Sequence, residues 1–295
     1  MKNSDFLVGF IGQGYVGKNY ADDFERRGYR VVRYSKEKLY RSNKEKIKNC
    51  DIVFIAVPTP TVCGVYDDSI IREVIPLVEK NKIIVLKSTI CFGLSRVLQK
   101  KFKDYTIVHS PEFLSETTAS EDTRNPFFNI VGINQKSKKH KDVARLIHSI
   151  LPKAPASFTV SYEEAELIKY AHNTSAYTRI VFSNLLYDLS KKVGADWKNV
   201  VQAIKADPFI ATKHVSNNYI DPVHKGGRGA GGNCFIKDFA IFSNMYKKIA
   251  NDPLGAQLLQ SFERKNIELL QKSKKDLKLL NGVYCNLKKP KRKKS

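Results

Sequence analysis

The stretch Gly12-Gln13-Gly14-Tyr15-Val16-Gly17 follows a short apolar run, Phe6-Leu7-Val8-Gly9-Phe10-Ile11, and opens a helical pattern that reaches about Arg27. No other feature limits the fold so tightly. Gly12 permits the tight turn after a strand, Gly14 lets a ligand approach the backbone, and Gly17 lets the helix pack closely on the strand. The helix start adds unpaired amides and the positive end of a dipole, which suit phosphate groups. A lone G-x-G-x-x-G is weak, but between a strand and a helix it reads as a dinucleotide site. The residues assigned to it are Gly12, Gln13, Gly14, Tyr15, Val16 and Gly17.

The next segments repeat the strand–helix alternation. Tyr29–Tyr34 is a second strand. Asp51–Val57 is continuously apolar, as a strand buried on both faces should be, and it ends in the rigid turn Pro58-Thr59-Pro60-Thr61. A helix is expected from about Asp68 to Lys80. The strands Ile83–Leu86, Thr106–His109 and Asn129–Ile133 follow, and a helix from Lys138 to Leu151 closes the unit. Such alternation with short connections predicts an α/β doubly wound parallel sheet. Ligands bind such sheets at the carboxyl ends of the strands. Pro58 and Thr59, Ser88 and Thr89, and the run Glu112-Phe113-Leu114-Ser115-Glu116 all fall there.

The position expected to hold an acid for the ribose hydroxyls carries Arg33, with Lys38 nearby. A basic cluster suits a 2′-phosphate, so NAD and NADP both remain open as the cofactor.

The second half reads as helical. Ser161-Tyr162-Glu163-Glu164 is a capping box, and a helix from there should reach about Lys192. Along it Ile168, Ala171, Ser175, Thr178, Phe182, Leu185 and Leu189 recur at spacings of three and four. A helix this long suggests a domain connector or a dimer core. Lys169 and Asn173 share a different stripe. Further helices are expected at about Lys237–Ile249 and Pro253–Lys272. The domains are therefore expected at residues 1–160, 161–272 (all-helical, entered by the long helix) and 273–295, a basic and disordered tail.

Five cysteines, Cys50, Cys63, Cys91, Cys234 and Cys285, show no C-x-x-C spacing. That argues against a disulfide framework or a metal site and suits a reducing compartment. No window approaches 18 uncharged apolar residues and the N-terminus has no signal-peptide pattern, so a cytoplasmic protein without membrane contact is expected. The net charge of +22 favours polyanionic ligands such as dinucleotides. From Lys272 to Ser295 there are ten Lys or Arg against one acid, Asp276. The run Lys288–Lys294 resembles a nuclear-localisation or polyanion patch, but short basic tails are commonly passive, and nucleic-acid binding is disfavoured.

Taken together, GQGYVG at 12–17, VPTPT at 57–61, KST at 87–89, SPEFLSE at 110–116, EAELIKYAHN at 164–173 and GRGAGGNCFIKD at 227–238 resemble the UDP-glucose/GDP-mannose dehydrogenase family. The motifs occur in the family's order and cover residues from about 6 to 270. The resemblance implies a Rossmann domain, a helical domain that dimerises through the helix at 161–192, and NAD-dependent oxidation of a nucleotide-sugar C6 alcohol to a carboxylate. Cys234 would attack the intermediate aldehyde, and Lys169 and Asn173 would stabilise the oxyanion. Asp238 would position Lys169 or a water. Glu112 would serve the acid–base steps of hydrolysis, with Thr89 ordering water. Glu116 and Lys237 would lie near the cofactor. Phe113, Leu114, Gly229, Gly231 and Gly232 would line the substrate together with Glu112, Glu116, Lys169 and Asn173. UDP-glucose is the expected substrate.

Three features depart from the family pattern. Its third, nucleotide-holding domain has no room after the central helices, so it would be supplied by another chain or be dispensable. Phe209 stands where an arginine is usual, and Arg33 replaces the ribose-binding acid. Two other readings compete. One is a single-step β-hydroxyacid-type dehydrogenase, which shares the Lys-x-x-x-Asn pair and needs no thiol. The other is an inactive cofactor-binding or interaction protein.

Overall fold

The structure is a computed structural model and describes residues 6–211, 219–285 and 287. The basic run at 288–295 lies outside the described residues, as do the first five residues. In chain order the elements are β1 (Leu7–Ile11), α1 (Tyr15–Arg26), β2 (Arg30–Tyr34), α2 (Lys44–Lys48), β3 (Ile52–Ile55), β4 (Thr61–Val62), β5 (Val65–Tyr66), α3 (Ser69–Val74), β6 (Ile83–Leu86) and α4 (Leu94–Lys101). They continue with β7 (Thr106–His109), α5 (Ala119–Arg124), β8 (Asn129–Ile133), α6 (Lys138–Ile150), β9 (Ser157–Ser161), α7 (Tyr162–Lys192), α8 (Trp197–Ala206), β10 (Val223–His224), β11 (Gly227–Arg228), α9 (Gly232–Ile249), α10 (Pro253–Ser273) and α11 (Leu277–Tyr284). The chain separates into two compact units. One runs to Pro60 and resumes over Asp67–Lys169; the other takes Thr61–Tyr66 and the chain from Tyr170 onward.

The first unit is the expected α/β sheet. Its seven strands run β2-β1-β3-β6-β7-β8-β9, and the chain reverses its direction of winding beside β1. Every pair is parallel except β7–β8, which meet antiparallel at His109 and Gly132. The sheet is parallel-dominated, as expected, with this single reversal. The only helix between those strands, α5, has six residues and spans about 9 Å. It is too short to carry the chain back along the sheet for another parallel pairing. Phe10, Phe24 and Phe54 form the aromatic centre, with the Phe10 and Phe54 rings stacked 5.0 Å apart. The predicted helix over 68–80 is shorter than expected: α3 gives way to a tight turn at Ile75–Leu77, where Pro76 lacks the amide a continuing helix needs.

The second unit is built from helices with two small hairpins. Tyr177 stacks on Phe239 at 3.8 Å, beside Ile180, Val181 and Ala230. A second cluster joins Ile236, Ala240, Leu270, Leu280 and Val283. The capping box forms: the Ser161 amide donates to Glu164 Oε2 at 2.6 Å and the Glu164 amide donates to Ser161 Oγ at 3.2 Å. Along α7 the apolar stripe read from sequence faces outward, and Phe182, Leu185 and Leu189 are exposed.

Two expectations about the C-terminal region do not hold. The segment from 273 is not all tail, because Leu277–Tyr284 folds as α11 and buries Leu280 and Val283. The helix is only eight residues long, carries Gly282, and follows the basic stretch Lys272–Lys275, which hid it. Cys63 and Cys285 form a disulfide. They are 222 residues apart, so no local spacing marked them, and an odd cysteine count concealed one pair. Cys50, Cys91 and Cys234 are not disulfide-bonded.

Candidate functional site

In the first unit, four loops follow the carboxyl ends of β1, β3, β6 and β7. Gly12 has φ +91°, and a Cβ there would lie 2.3 Å from the Ala56 carbonyl oxygen. A Cβ on Gly17 would lie 1.9 Å from the Gly12 carbonyl oxygen. Both glycines are required by the fold itself. Gly14 differs, since a Cβ there would meet nothing within 4 Å. No protein atom demands a glycine at 14, and the backbone there is open to the close approach of a ligand. The α1 N-terminus has Gly14 as its cap, no side-chain capping bond and no acid in its first turn. The amides of its first turn therefore fit a dinucleotide pyrophosphate. Gln13 is buried and its Nε2 donates to the Phe10 and Gly12 carbonyls. Tyr15 begins α1, and Val16 packs against the core.

The turns after β3 and β6 are fastened together. Thr59 Oγ1 donates to the Thr89 carbonyl at 2.9 Å, and Ser88 Oγ donates to the Val57 carbonyl at 2.7 Å. Pro58 is exposed beside the buried Thr59. Arg33 does not present a free guanidinium. It donates twice to Glu25 and pairs with Asp22 at 2.7 Å, both on α1. These two carboxylates outweigh its partial burial and raise its pKa. Lys38 is exposed in the turn after β2.

Glu112 carries the densest chemistry of this unit. Its side chain is buried; Oε1 accepts from Lys169 Nζ at 3.0 Å and Oε2 accepts from the Leu114 amide at 2.7 Å. Lys169 is equally buried and lies 5.4 Å from the centre of the Phe113 ring. Burial pushes the Glu112 carboxyl up, but the Lys169 ammonium, the Leu114 amide and Lys87 outweigh it and hold the carboxyl below its usual range. Glu116, by contrast, is exposed, and the Leu114 side chain packs into the core.

Sequence reasoning missed Lys87, the first residue of the KST motif. Its ammonium is buried 4.2 Å over the Tyr20 ring, with Ser110 Oγ at 3.3 Å. Burial lowers its pKa to about 7, against the pull of Glu112. His109, also missed, is pressed by burial down to about 3. A lysine inside an apolar strand end was the available signal for Lys87; His109 looked like an ordinary strand residue.

In the second unit, Cys234 sits in the first turn of α9, which starts at Gly232 and not at Lys237 as the sequence suggested. The glycine loop thus runs straight into the helix. Asp238 is buried one turn on; it accepts from Asn173 Nδ2 at 2.6 Å and from Lys237 Nζ. Asn173, on α7, follows Lys169 by four residues, so the two share one face of that helix.

The glycines at 229 and 231 have reasons within the fold. A Cβ on Gly229 would meet Asn266 Oδ1 at 2.9 Å, and one on Gly231 would meet Asp276 Oδ2 at 2.1 Å. Gly232, with φ +81°, borders open space. Residues outside the motif hold this loop. Asn266 accepts from the Ala230 amide at 2.7 Å and donates to its carbonyl at 2.9 Å. Lys275 Nζ donates to the Gly229 carbonyl at 3.0 Å, and Asp276 Oδ2 accepts from the Gly232 amide at 2.8 Å. Arg228 is bound to α7 through Asn184 and Asp188. Nothing in the sequence tied these distant residues to the glycines. Phe209 is 94% exposed and contributes to neither core.

Comparisons with known proteins agree with these motifs. Residues 32–151 match the NAD binding domain of the UDP-glucose/GDP-mannose dehydrogenase family, and residues 163–268 match its central domain. The chain is 32% identical over 234 residues to a UDP-glucose 6-dehydrogenase of Rickettsia bellii, covering 76% of this chain and 51% of that protein. The chain spans about half the length of the curated UDP-glucose 6-dehydrogenases it matches. Its fold matches a UDP-glucose dehydrogenase of Pyrobaculum islandicum with TM-score 0.73 and 23% identity, covering 90% of this chain and 71% of that one. It also matches a 3-hydroxyisobutyrate dehydrogenase of Mycobacterium tuberculosis with TM-score 0.66 and 15% identity, covering 90% of this chain and 96% of that one. At such identities these structures speak for the fold alone. No helix among the described residues is long and apolar enough to cross a membrane.

Proposed function

Because the chain belongs to the UDP-glucose/GDP-mannose dehydrogenase family, we propose that it oxidises the C6 alcohol of a nucleotide sugar, UDP-glucose foremost, to a carboxylate in two steps. The observation that carries the reading is the buried Lys169–Glu112 pair at 3.0 Å. Two charges taken out of water are costly, and a buried pair after the carboxyl end of a sheet strand is placed where such sheets bind ligands.

A dinucleotide held at the Gly12–Gly17 loop would supply the hydride acceptor, one dinucleotide for each of the two oxidations in succession. This chain's residues do the rest. In the first step the C6 alcohol becomes an aldehyde. Cys234 Sγ then adds to the aldehyde carbon, and the developing oxyanion is met by the Lys169 ammonium and the Asn173 amide. The second oxidation turns that adduct into a thioester on Cys234. Water ordered by Thr89 hydrolyses it, and Glu112, kept ionised by Lys169, takes the water's proton. The thiol leaves as it entered. Asp238, which binds Asn173 and Lys237, fixes the amide that receives the oxyanion. Cys234 in the first turn of α9 gains from the positive end of the helix dipole whenever sulfur carries negative charge.

NAD is the better cofactor under this reading. Arg33 is already neutralised by Asp22 and Glu25, and so offers little to a 2′-phosphate. The outward stripe of α7, with Phe182, Leu185 and Leu189, suits a homodimer. The test of the function is cofactor reduction with UDP-glucose, UDP-N-acetyl sugars and GDP-mannose. Reduction with one of them supports the reading, and none with any of them rejects it. The β-hydroxyacid alternative is separated by Cys234→Ala, which would leave such a single oxidation intact.

A further inference from the structure

Asp276 occupies the N-cap position of α11 yet makes no side-chain bond to its own helix. Its carboxylate accepts instead from the Gly232 amide at 2.8 Å, two residues before Cys234. Only glycine at 231 leaves it room, since a Cβ there would lie 2.1 Å from Asp276 Oδ2. Lys275, next to it, holds the Gly229 carbonyl. Lys274 and Asp276 both have positive φ, 56° and 52°. The backbone here is bent into place, in a region that lysine and aspartate adopt at a cost.

The other end of α11 is fastened as well. Cys285, just past Tyr284, is bonded to Cys63 at the tip of the β4–β5 hairpin. Around that bond the Cys63 amide donates to the Gly282 carbonyl at 3.1 Å, and the Gly64 amide donates to the Val283 carbonyl at 2.7 Å. Thus α11, about 12 Å long, is held to the cysteine loop at one end and to the hairpin at the other. The hairpin immediately follows the Pro58-Thr59-Pro60 turn. The helix itself is anchored to α9 by few apolar residues, chiefly Leu280 and Val283.

We propose that the Cys63–Cys285 disulfide is a redox clasp that fixes α11 and, through Asp276, the loop that presents Cys234. Cys63 is exposed, so the bond is open to attack by a small thiol reductant. A dithiol's thiolate attacks one sulfur of the pair, forming a mixed disulfide and releasing the other cysteine as a thiolate. The second thiol of the reductant then displaces the remaining cysteine. The protein gains two electrons and two protons as two thiols, and the reductant leaves as a cyclic disulfide. With the clasp open, α11 keeps its apolar contacts, the hairpin bonds and the Tyr284 hydroxyl's bond to Glu263, but loses its one covalent tie, and Asp276 is released more often from Gly232. Its effect on turnover rests on Cys234 being the nucleophile, whereas the clasp itself does not.

Amide exchange read residue by residue on the full chain tests this. Reduction with dithiothreitol should speed exchange at Gly232 by about tenfold or more, while Ala230, held by Asn266 of α10, changes by less than about threefold. Asp276→Ala should give the same fast Gly232 amide with the disulfide intact, and Asp276→Asn, which keeps an acceptor oxygen, should restore protection. The alkylation rate of Cys234 by iodoacetamide should change in parallel in Cys63→Ser/Cys285→Ser, with the buried Cys50 as an internal reference. Unchanged protection at Gly232, an equal rise at Gly232, Ala230 and the β1 amides, or an unmoved Cys234 rate would each overturn the proposal. If the double variant does not fold, the reduced wild-type chain carries the exchange test alone. A chain that oxidises no sugar would still show these changes, so failure of the proposed function is told apart from failure of the clasp.

Discussion

Glu112 and Lys169 set the terms at the scale of single residues. Each is buried, and each satisfies the other's charge. Glu112→Gln leaves an ammonium buried without its anion, and breaking such a pair costs about 3–5 kcal/mol. Urea unfolding should show a loss in that range, accompanied by loss of thioester hydrolysis. Lys87 supplies a pH signature. Its pKa in the folded chain is lowered by burial to about 7, against about 10.4 when unfolded. Between those values the unfolded chain binds the extra proton, so this lysine makes stability rise with pH from about 7 upward. Its penalty is fully present below about 7. Lys87→Met should flatten the stability–pH curve over that window; an unchanged slope would show that burial does not lower the Lys87 pKa in the folded chain.

The sequence showed residue types more clearly than their partners. Cys234, Lys169, Asn173, Asp238 and Glu112 could be named from the sequence because their motifs are local. Asp276, Lys275 and Asn266 were not, because each meets the glycine loop from 36 to 46 residues away. Arg33 was legible as a charge and misleading as a ligand. The acids that occupy it lie on α1, and only the packing of α1 beside β2 brings them within reach.

At the scale of elements, α7 was the most readable part of the chain. The capping box marked its start, and Gly194 lies just past its end, with positive φ. Ser161→Ala removes one half of that box and should lower stability by about 1 kcal/mol, measured by thermal or urea unfolding. The outward stripe gives α7 its second prediction. Phe182 and Leu189 are 56% and 58% exposed on one helical face. Replacing both by glutamate should shift the chain from dimer to monomer in light scattering without unfolding it; a wild-type chain that is already monomeric would remove the dimer from the proposal. The antiparallel β8 and the six-residue α5 were illegible for a common reason. Strand direction is set by how far a connection carries the chain, and periodicity reports only faces.

At the scale of the whole molecule, the sheet unit and the helical unit each contain part of the proposed chemistry. The cofactor loop, Glu112 and Lys169 belong to the first, and Asn173, Asp238 and Cys234 to the second. The glycine fingerprint and the strand–helix alternation made the first unit predictable. The Cys63–Cys285 bond was not, since it joins a hairpin near the start of the chain to a helix near its end. The proposed chemistry is two oxidations of one sugar, the second on Cys234. The direct measurement is the number of NADH formed per molecule of nucleotide sugar consumed, in the wild-type chain and in Cys234→Ala. The wild type should form two NADH and a carboxylate product, and the variant should lose the second oxidation by about a thousandfold or more. One NADH per sugar in both proteins, at the same rate, would contradict it.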